Sequence, residues 1–396
     1  MISFARGVPA PECLAVEELA DCARAAVERD GRTILSYGPG GGYGPLREWL
    51  AERHGVESGR VVITSGSLQG FVFLAEQLVG PGARVLVEAP TYDRPLKILT
   101  RFGAEIVTVP MDDEGLIPEA LGQAITALAS RGQRVKFLYT VPSFHNPGGV
   151  TLPAARRAQV LDICQRAGLL VIEANPSGLL GFDGEPLRAL RADDPDGVIY
   201  LGTFSKTIAP GLRVGWALAP PGIRDKLVLA AEAAVLCHSS LAQLMVREYL
   251  TSQPWQEQVK VFRELYRERR DAMLDALAAV MPAGCRWTRP AGGFYVWLQL
   301  PAGLNAKAML PRAISSRVAY VPGTGFFTGG AGREFLRLSY CFPEPARIRE
   351  GVRRLADVVV AETELHSTFR GLLPPLPGPP GGPDFLTGPA GADISR

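Results

Sequence analysis

Short apolar runs alternate with segments of helical periodicity between about residues 45 and 220. The apolar runs include RVVIT, ARVLVEAP, VKFLYTVP, LLVIEAN, VIYLGTFS and LRVGWALAP, and amphipathic segments such as PAARRAQVLDICQRAG separate several of them. This alternation predicts an α/β fold with a mostly parallel sheet flanked by helices, because parallel strands need long crossover connections. The runs are apolar throughout instead of at alternate positions, which indicates strands buried on both faces.

After about residue 225 the pattern changes to a long helical stretch, which is interrupted near Pro254. Short strands within CRWTRPAGGFYVWLQL and FLRLSYCF follow, with helices around 306–317 and 346–364, so we expect a smaller α+β domain at the C-terminal end. The last stretch is rich in Pro and Gly and is expected to be disordered. The predicted divisions are an N-terminal segment (1–44), a large domain (45–225), an interdomain helical region (226–275), a small domain (276–366) and a tail (367–396).

Charge and cysteine usage exclude several classes of protein. The chain has 42 Lys and Arg against 40 Asp and Glu, so a net charge of +2 gives no electrostatic reason to expect a nucleic-acid partner. No long apolar run predicts a membrane span, and the start MISFARGVPAPE does not resemble a signal peptide, so a cytoplasmic location is expected. The six cysteines and four histidines show no metal-ligand spacing, and Cys164 is expected to be a core residue.

The stretch LGTFSKTIAPGLRVGW carries the strongest chemical signal. It places Lys206 at the mouth of a buried strand, between hydroxyl side chains and seven residues before Arg213. Desolvation and a nearby cation lower the pKa of an amine, which makes it a nucleophile for carbonyl compounds. The hydroxyls of Thr203 and Ser205, together with the Arg213 fork, suit a phosphate dianion.

Two further motifs offer anion sites. In VVITSGSLQGFVF, the residues Ser67 and Leu68 open a helix directly after a strand, and helix N-termini bind anions. Taken alone, this motif is more typical of a Ser-Gly turn that caps a helix. In FLRLSYCFP, Arg337 lies on a predicted strand, and its guanidinium fork suits a carboxylate.

Other motif classes fit less well. GPGGGYG lacks the spacing of a dinucleotide-binding loop, and GTFSKT lacks the glycine that a P-loop needs before its lysine. GSLQG is not a nucleophile elbow, and TFSK has Thr where serine acyl-enzymes need Ser.

Together these motifs resemble the fold type I pyridoxal-phosphate enzymes, and specifically the class I and II aminotransferases of the 2-aminoadipate and kynurenine aminotransferase group. The resemblance extends from about residue 3 to residue 364. It implies pyridoxal 5'-phosphate as the cofactor, an L-amino acid and a 2-oxo acid as substrates, and transamination as the reaction. Lys206 would hold the cofactor covalently and then carry the α-proton.

The resemblance also implies roles for the other motif residues. Tyr92, in EAPTYDRP, would stack on the cofactor ring, and Asn146, in YTVPSFHNPGG, would donate to its phenolic oxygen and help to position the substrate. Arg337 would bind the substrate α-carboxylate. The phosphate would be held by Ser67, Leu68, Thr203, Ser205 and Arg213.

A homodimer is implied as well. In relatives, the tyrosine at the position of Tyr37 reaches the phosphate of the partner subunit. The segment SFARGVPAPE, which includes Gly7, is similar to the N-terminal segment that closes over the substrate. His145 stands where relatives often carry Gln, and a turn histidine without a proton-transfer role is the favoured interpretation.

The stretch VIEANPSGLL departs from the family pattern. Relatives carry an Asp that keeps the pyridine nitrogen protonated and a Tyr that bonds to the phenolic oxygen, and these positions are Ala174 and Ser177 here. Because adjacent strand residues point to opposite faces, Ala174 should face the ring and Glu173 should face away. Three functions therefore stay open: an aminotransferase of impaired activity, a pyridoxal-phosphate enzyme of diverted chemistry (elimination, cyclisation or oxidation), and a non-catalytic ligand-sensing module.

Overall fold

The computed structural model describes residues 1–370, which contain an eight-stranded sheet, a four-stranded sheet and a two-stranded pair. The strands are β1 Ile2–Ser3, β2 Val61–Thr64, β3 Arg84–Ala89, β4 Glu105–Asp112, β5 Gly115–Leu116, β6 Val135–Thr140, β7 Leu170–Ala174, β8 Val198–Thr203, β9 Gly215–Leu218, β10 Arg286–Trp287, β11 Tyr295–Gln299, β12 Val318–Ala319, β13 Val321–Pro322 and β14 Phe335–Ser339. The helices are α1 Val16–Ile34, α2 Gly44–His54, α3 Ser67–Leu78, α4 Asp93–Arg101, α5 Pro118–Ala129, α6 Ala154–Arg166, α7 Pro221–Val235, α8 Ser240–Ser252, α9 Trp255–Val280, α10 Ala306–Ser315 and α11 Pro345–Arg370.

The eight-stranded sheet has the order β2-β9-β8-β7-β6-β3-β4-β5. The five strands from β8 to β4 are parallel to one another, whereas β9 is antiparallel to both β8 and β2, and β5 is antiparallel to β4. The prediction of a mostly parallel sheet flanked by helices is therefore confirmed. All six predicted strands are present, but two were missed: β4, whose sequence EIVTVPMD mixes polar and apolar positions, and β5, which has only two residues.

The smaller sheet has the order β10-β11-β14-β13 and is antiparallel. Helices α9, α10 and α11 supply apolar residues to the same core as this sheet. The N-terminal strand β1 pairs with β12, and the backbone of Phe4 bonds to Ala319 and Ser339. The N-terminal segment is thus attached to the C-terminal part of the chain.

The two faces of the large sheet bury different side chains of β7. Ile172 and Ala174 pack in one apolar cluster with residues of α3 and α4, whereas Val171 packs in another with residues of α5 and α6. Cys164 of α6 belongs to that second cluster, as expected, and burial raises its thiol pKa to about 12. The alternation predicted for Glu173 and Ala174 is therefore present.

Helix α11 continues to Arg370, past the predicted end at 364. The predicted Pro/Gly-rich tail lies from 371 onward outside the described residues. Within residues 1–370, no helix is long and apolar enough to cross a membrane.

Candidate active site

Lys206 follows β8 directly, at the carboxyl edge of the large sheet, where ligands bind in parallel α/β folds. Its Nζ donates to the carbonyl of Gly7 at 2.5 Å and lies 5.3 Å from the centre of the Phe294 ring. Burial lowers the lysine pKa to about 8, and the cations Arg337 and Arg213 add to this effect. A larger share of the amine is therefore uncharged near neutral pH, as a nucleophile or a base needs to be.

Arg213 forms an anion cradle with the strand ends around it. Its Nη2 donates to the carbonyl of Ser65 at 3.0 Å, and its Nη1 lies 3.3 Å from the Ser205 hydroxyl. The Ser205 hydroxyl is in turn 2.9 Å from that of Thr203. A guanidinium and two hydroxyls thus converge on one point.

Helix α3 begins beside this guanidinium. Its N-cap, Gly66, has a φ of 77°, in the left-handed region that favours glycine, and no side chain caps the helix. The first amides, those of Ser67 and Leu68, have no acceptor inside the helix and are free to bind an anion. A Cβ at Gly66 would overlap the Arg213 guanidinium, so the glycine permits the close approach of the two.

Gly66→Ala is expected to lower cofactor affinity roughly ten- to hundredfold, since it displaces Arg213 and loses a charge-assisted bond of about 1.5 to 3 kcal/mol. Equilibrium dialysis against pyridoxal 5'-phosphate measures this change. Gly122→Ala is the matched control, because Gly122 lies in α5 with open space around its Cβ position. Equal affinities in the two variants would show that Gly66 and Arg213 do not form the phosphate site.

Arg337 lies on β14 with only 8% of its surface exposed. Its Nη1 donates to Asn146 Oδ1 at 2.8 Å, and its guanidinium lies over the rings of Tyr295 and Phe326, 4.2 and 5.1 Å from their centres. Among the described residues it pairs with no carboxylate. A buried cation without a counter-ion is suited to an anionic ligand, and the guanidinium fork fits a carboxylate.

Arg337→Ala is expected to raise the substrate KM strongly and to leave cofactor affinity nearly unchanged. Losing a two-pronged charge-assisted contact costs roughly 2 to 4 kcal/mol. Arg337→Lys serves as the control, since it keeps the charge without the fork and should recover only part of the loss. Steady-state kinetics and cofactor titration of both variants separate the effects. An equal loss of cofactor affinity would show that Arg337 binds the phosphate or has a structural role instead.

Asn146 is held by a buried turn. The amide of Gly148 donates to His145 Nδ1 at 3.1 Å, which leaves the ring proton on Nε2, 3.1 Å from Glu88 Oε2. Glu88 also accepts from the Thr140 hydroxyl and the Val141 amide. His145 thus anchors the turn of Asn146 to the sheet. Glu88 was missed from the sequence, although an acidic residue inside the run VLVEAP was a usable signal.

Tyr92 precedes α4 and lies near Arg337. Burial raises its phenol pKa, so the hydroxyl stays protonated, and the charge of Arg337 acts on it. Its ring offers a flat apolar face with a polar end.

Ala174 and Ser177 are both buried at the end of β7 and in the turn that follows. Glu173 points to the other face, where its Oε2 accepts from the Arg191 amide at 3.0 Å. Burial raises the Glu173 pKa to about 7. The face of β7 that Ala174 occupies carries Leu170, Ile172 and Ala174, so this strand presents no carboxylate there.

The structure therefore brings most of the predicted site residues to one edge of the sheet, and Tyr37 is the exception. Gly7 is among those brought together: its carbonyl accepts from Lys206, and a Cβ at Gly7 would overlap the Tyr295 hydroxyl, so this position needs glycine. Tyr37 lies on the surface with 84% of its area exposed and contacts none of the other site residues within residues 1–370.

This edge fits pyridoxal 5'-phosphate at three of its four polar groups, and Asn146 suits the phenolic oxygen. The Arg213 cradle and the start of α3 suit the phosphate, and the Lys206 amine suits the aldehyde. The residues at the end of β7 offer nothing to the ring nitrogen. Fold and site together define a pyridoxal-phosphate enzyme of fold type I.

Comparison with known proteins identifies the family. The model of the family described as Aminotransferase class I and II matches residues 7–355. The chain is 38% identical to Aromatic-amino-acid aminotransferase 1 of Thermococcus litoralis, over 91% of this chain and 88% of that protein. It is 40% identical to 2-aminoadipate transaminase of Thermus thermophilus, over 90% of this chain and 89% of that protein. The solved kynurenine aminotransferase of Pyrococcus horikoshii has a TM-score of 0.88 at 38% identity, with 91% of each chain covered.

The chain therefore belongs to the class I and II aminotransferases. It is a pyridoxal-phosphate-dependent transaminase that moves an amino group between an L-amino acid and a 2-oxo acid. The resemblance stated from its motifs is confirmed.

Proposed function

We propose that this aminotransferase works with an unprotonated cofactor ring and therefore transaminates slowly. The observation that carries the proposal is Ala174, which stands where a ring-nitrogen carboxylate is expected, while Glu173 is bonded on the opposite face of β7. Ser177 is too short to replace a tyrosine hydroxyl at the phenolic oxygen, so Asn146 alone would serve that oxygen.

Each remaining residue has a role in the proposal. When bound, pyridoxal phosphate supplies an electron sink for the substrate α-carbon. Arg213, Thr203, Ser205 and the amides of Ser67 and Leu68 would hold the phosphate, and the ring would lie against Tyr92.

The substrate would be oriented through its carboxylate by Arg337 and Asn146, which already bond to each other at 2.8 Å. Lys206 would hold the cofactor and then remove the α-proton and return it. Its lowered pKa of about 8 supports this role, because a base works best with a pKa near the working pH. Gly7 and the segment around it would exclude water above the lysine.

Substrate and product assays test the proposal. The holoenzyme would be titrated with aromatic amino acids and 2-aminoadipate, which the names of the relatives suggest, and then with the remaining amino acids. We expect slow conversion to the pyridoxamine form with one equivalent of 2-oxo acid and no ammonia, as absorbance and product analysis would record. Release of ammonia would instead favour an elimination, the second function that Ala174 and Ser177 support.

A homodimer is part of the proposal. Leu35, Tyr37 and Leu236 are large apolar residues with more than half of their surface exposed, and the Gly38 amide bonds to the Cys237 thiol between them. An exposed apolar patch of this kind supports a subunit interface, with Tyr37 reaching the phosphate of the partner. Sedimentation equilibrium measures the mass of the protein in solution, and a homodimer should have twice the 42.5 kDa of one chain.

The proposed location is the cytoplasm, in amino-acid metabolism. All six cysteines are free thiols, which supports a reducing compartment. We also infer that the N-terminal segment 1–44, the large domain 45–225, the helical region 226–275 and the small domain 276–366 together surround this site.

A further inference from the structure

A second cavity, of about 400 Å³, lies behind the lysine-bearing strand end, between α2, β8, β9 and the segment 175–189. Lys206, Arg213, Asn146 and Arg337 are not among its lining residues, and of the predicted site residues it shares only Thr203 with the site described above. Six aromatic rings line it, and several lie within 6.2 Å of one another, centre to centre: Trp49, His54, Tyr200, Phe204, Trp216 and Trp255.

Gly202 leaves room for the Trp216 indole that lines this cavity. Gly202 of β8 is paired with Trp216 of β9, and a Cβ at Gly202 would overlap the indole ring. The indole can therefore lie flat across the neighbouring strand. Trp216 is 7% exposed, and its Nε1 is buried without an acceptor among the described residues. The Asn175 side chain, also in the lining, interacts with the Tyr200 hydroxyl, and its buried Oδ1 has no donor among the described residues.

These two atoms indicate a ligand that the cavity can accommodate. Buried polar atoms in native proteins are nearly always hydrogen-bonded, and an unpaired one costs about 1 to 3 kcal/mol. Trp216 offers one donor and Asn175 one acceptor. An occupant that accepts from the first and donates to the second would satisfy both.

The charge at the cavity is positive. Arg53, on the last turn of α2, places its guanidinium 4.7 Å from the centre of the Trp255 ring and 5.9 Å from that of Trp49. It forms no ion pair within residues 1–370. His54 is uncharged at neutral pH, because burial and the nearby Arg191 and Arg53 lower its pKa to about 4. No Asp or Glu is among the lining residues, so the local field favours an anion.

We propose that this cavity binds a planar aromatic carboxylate that carries a ring N–H, such as an indole carboxylate. The aromatic walls would pack against the ring system, Arg53 and the Trp216 N–H would bind the carboxylate oxygens, and the ring N–H would donate to Asn175 Oδ1. A volume of about 400 Å³ suits one bicyclic molecule. Thr203, Phe204 and Thr207 line the cavity and flank Lys206 in the sequence, so the ligand would contact the segment that carries the lysine.

Calorimetric titration of the holoenzyme with indole-3-acetate tests the proposal. This probe has no amino group, so it cannot be transaminated. We expect saturable binding that Arg53→Gln weakens at least tenfold, while the transamination rate without the probe stays unchanged. Trp216→Phe, which keeps a ring but removes the N–H, should weaken binding as well. Arg101→Gln is the matched control, since Arg101 is an arginine of α4 that also lies near a ring.

Two comparisons separate this cavity from the substrate site. Cyclohexaneacetate has the carboxylate without the aromatic ring and should bind at least tenfold more weakly. Arg337→Gln removes the substrate carboxylate contact and should leave indole-3-acetate binding intact. Binding lost in Arg337→Gln but kept in Arg53→Gln would place the probe in the substrate site and overturn the proposal, as would the absence of binding to the unmodified holoenzyme.

Discussion

Lys206→Ala is expected to abolish covalent attachment of the cofactor and to reduce transamination to an undetectable rate. The side chain supplies both the amine that joins the cofactor and the base that moves the α-proton, so one substitution removes two functions. Borohydride reduction of the holoenzyme followed by peptide mapping measures the attachment. We expect the label on Lys206 in the unmodified protein and no label in the variant. A label on another lysine would exclude the assignment.

The pH dependence of attachment provides an independent check. Burial lowers the Lys206 pKa from its ordinary value to about 8, so half of the amine is uncharged at about that pH and the uncharged fraction continues to rise above it. The rate at which the apoprotein takes up pyridoxal phosphate should therefore rise through this pH and level off once the amine is fully uncharged. Lys206→Arg is the matched control, because it keeps a cation beside the Gly7 carbonyl but cannot lose its proton in this range.

The double substitution Ala174→Asp with Ser177→Tyr is expected to raise kcat at least about tenfold on the preferred amino acid. A preorganised charged partner for developing charge is typically worth ~10² to 10³ in rate, about 3 to 4 kcal/mol. Asp at 174 would face the ring, because Ala174 lies on the opposite side of β7 from Glu173. Tyr at 177 would restore a hydroxyl at the phenolic oxygen.

A size-matched control separates charge from packing. Ala174→Asn with Ser177→Phe adds similar volume without the carboxylate or the hydroxyl, so it should bring no comparable gain. Steady-state kinetics of the two double variants and the unmodified protein give the comparison. If the unmodified protein turns over at ordinary aminotransferase rates and the first double variant is slower, the proposed explanation of Ala174 is wrong. The site would then serve a reaction that needs a neutral ring.

Local sequence was sufficient to predict those parts of the candidate site whose residues are close together in the chain. Ser205, Lys206 and Arg213 are close in the chain, and the turn between their strands fixes their positions relative to one another. The helix start at Ser67 could be read in the same way, because a glycine after an apolar strand marks the turn. Six strands of the large sheet were predicted because burial on both faces makes them apolar throughout.

Pairs that are distant in sequence were decided by the tertiary structure. Arg337 bonds to Asn146 across 191 positions, and Lys206 bonds to Gly7 across 199. Glu88 meets His145 only because β3 and β6 are neighbours in the sheet. No periodicity or local motif records such contacts, since they depend on how the strands are ordered.

The sequence by itself determined the family and the cofactor, and it predicted the roles of Lys206, Ala174 and Ser177. The tertiary structure decided that Glu173 is bonded on the opposite face of β7 from Ala174. It also formed the aromatic cavity, whose rings come from α2, β8, β9 and α9. The physical reason is the same in each case: short-range geometry follows from neighbouring residues, whereas burial and partner choice follow from the packing of the whole chain.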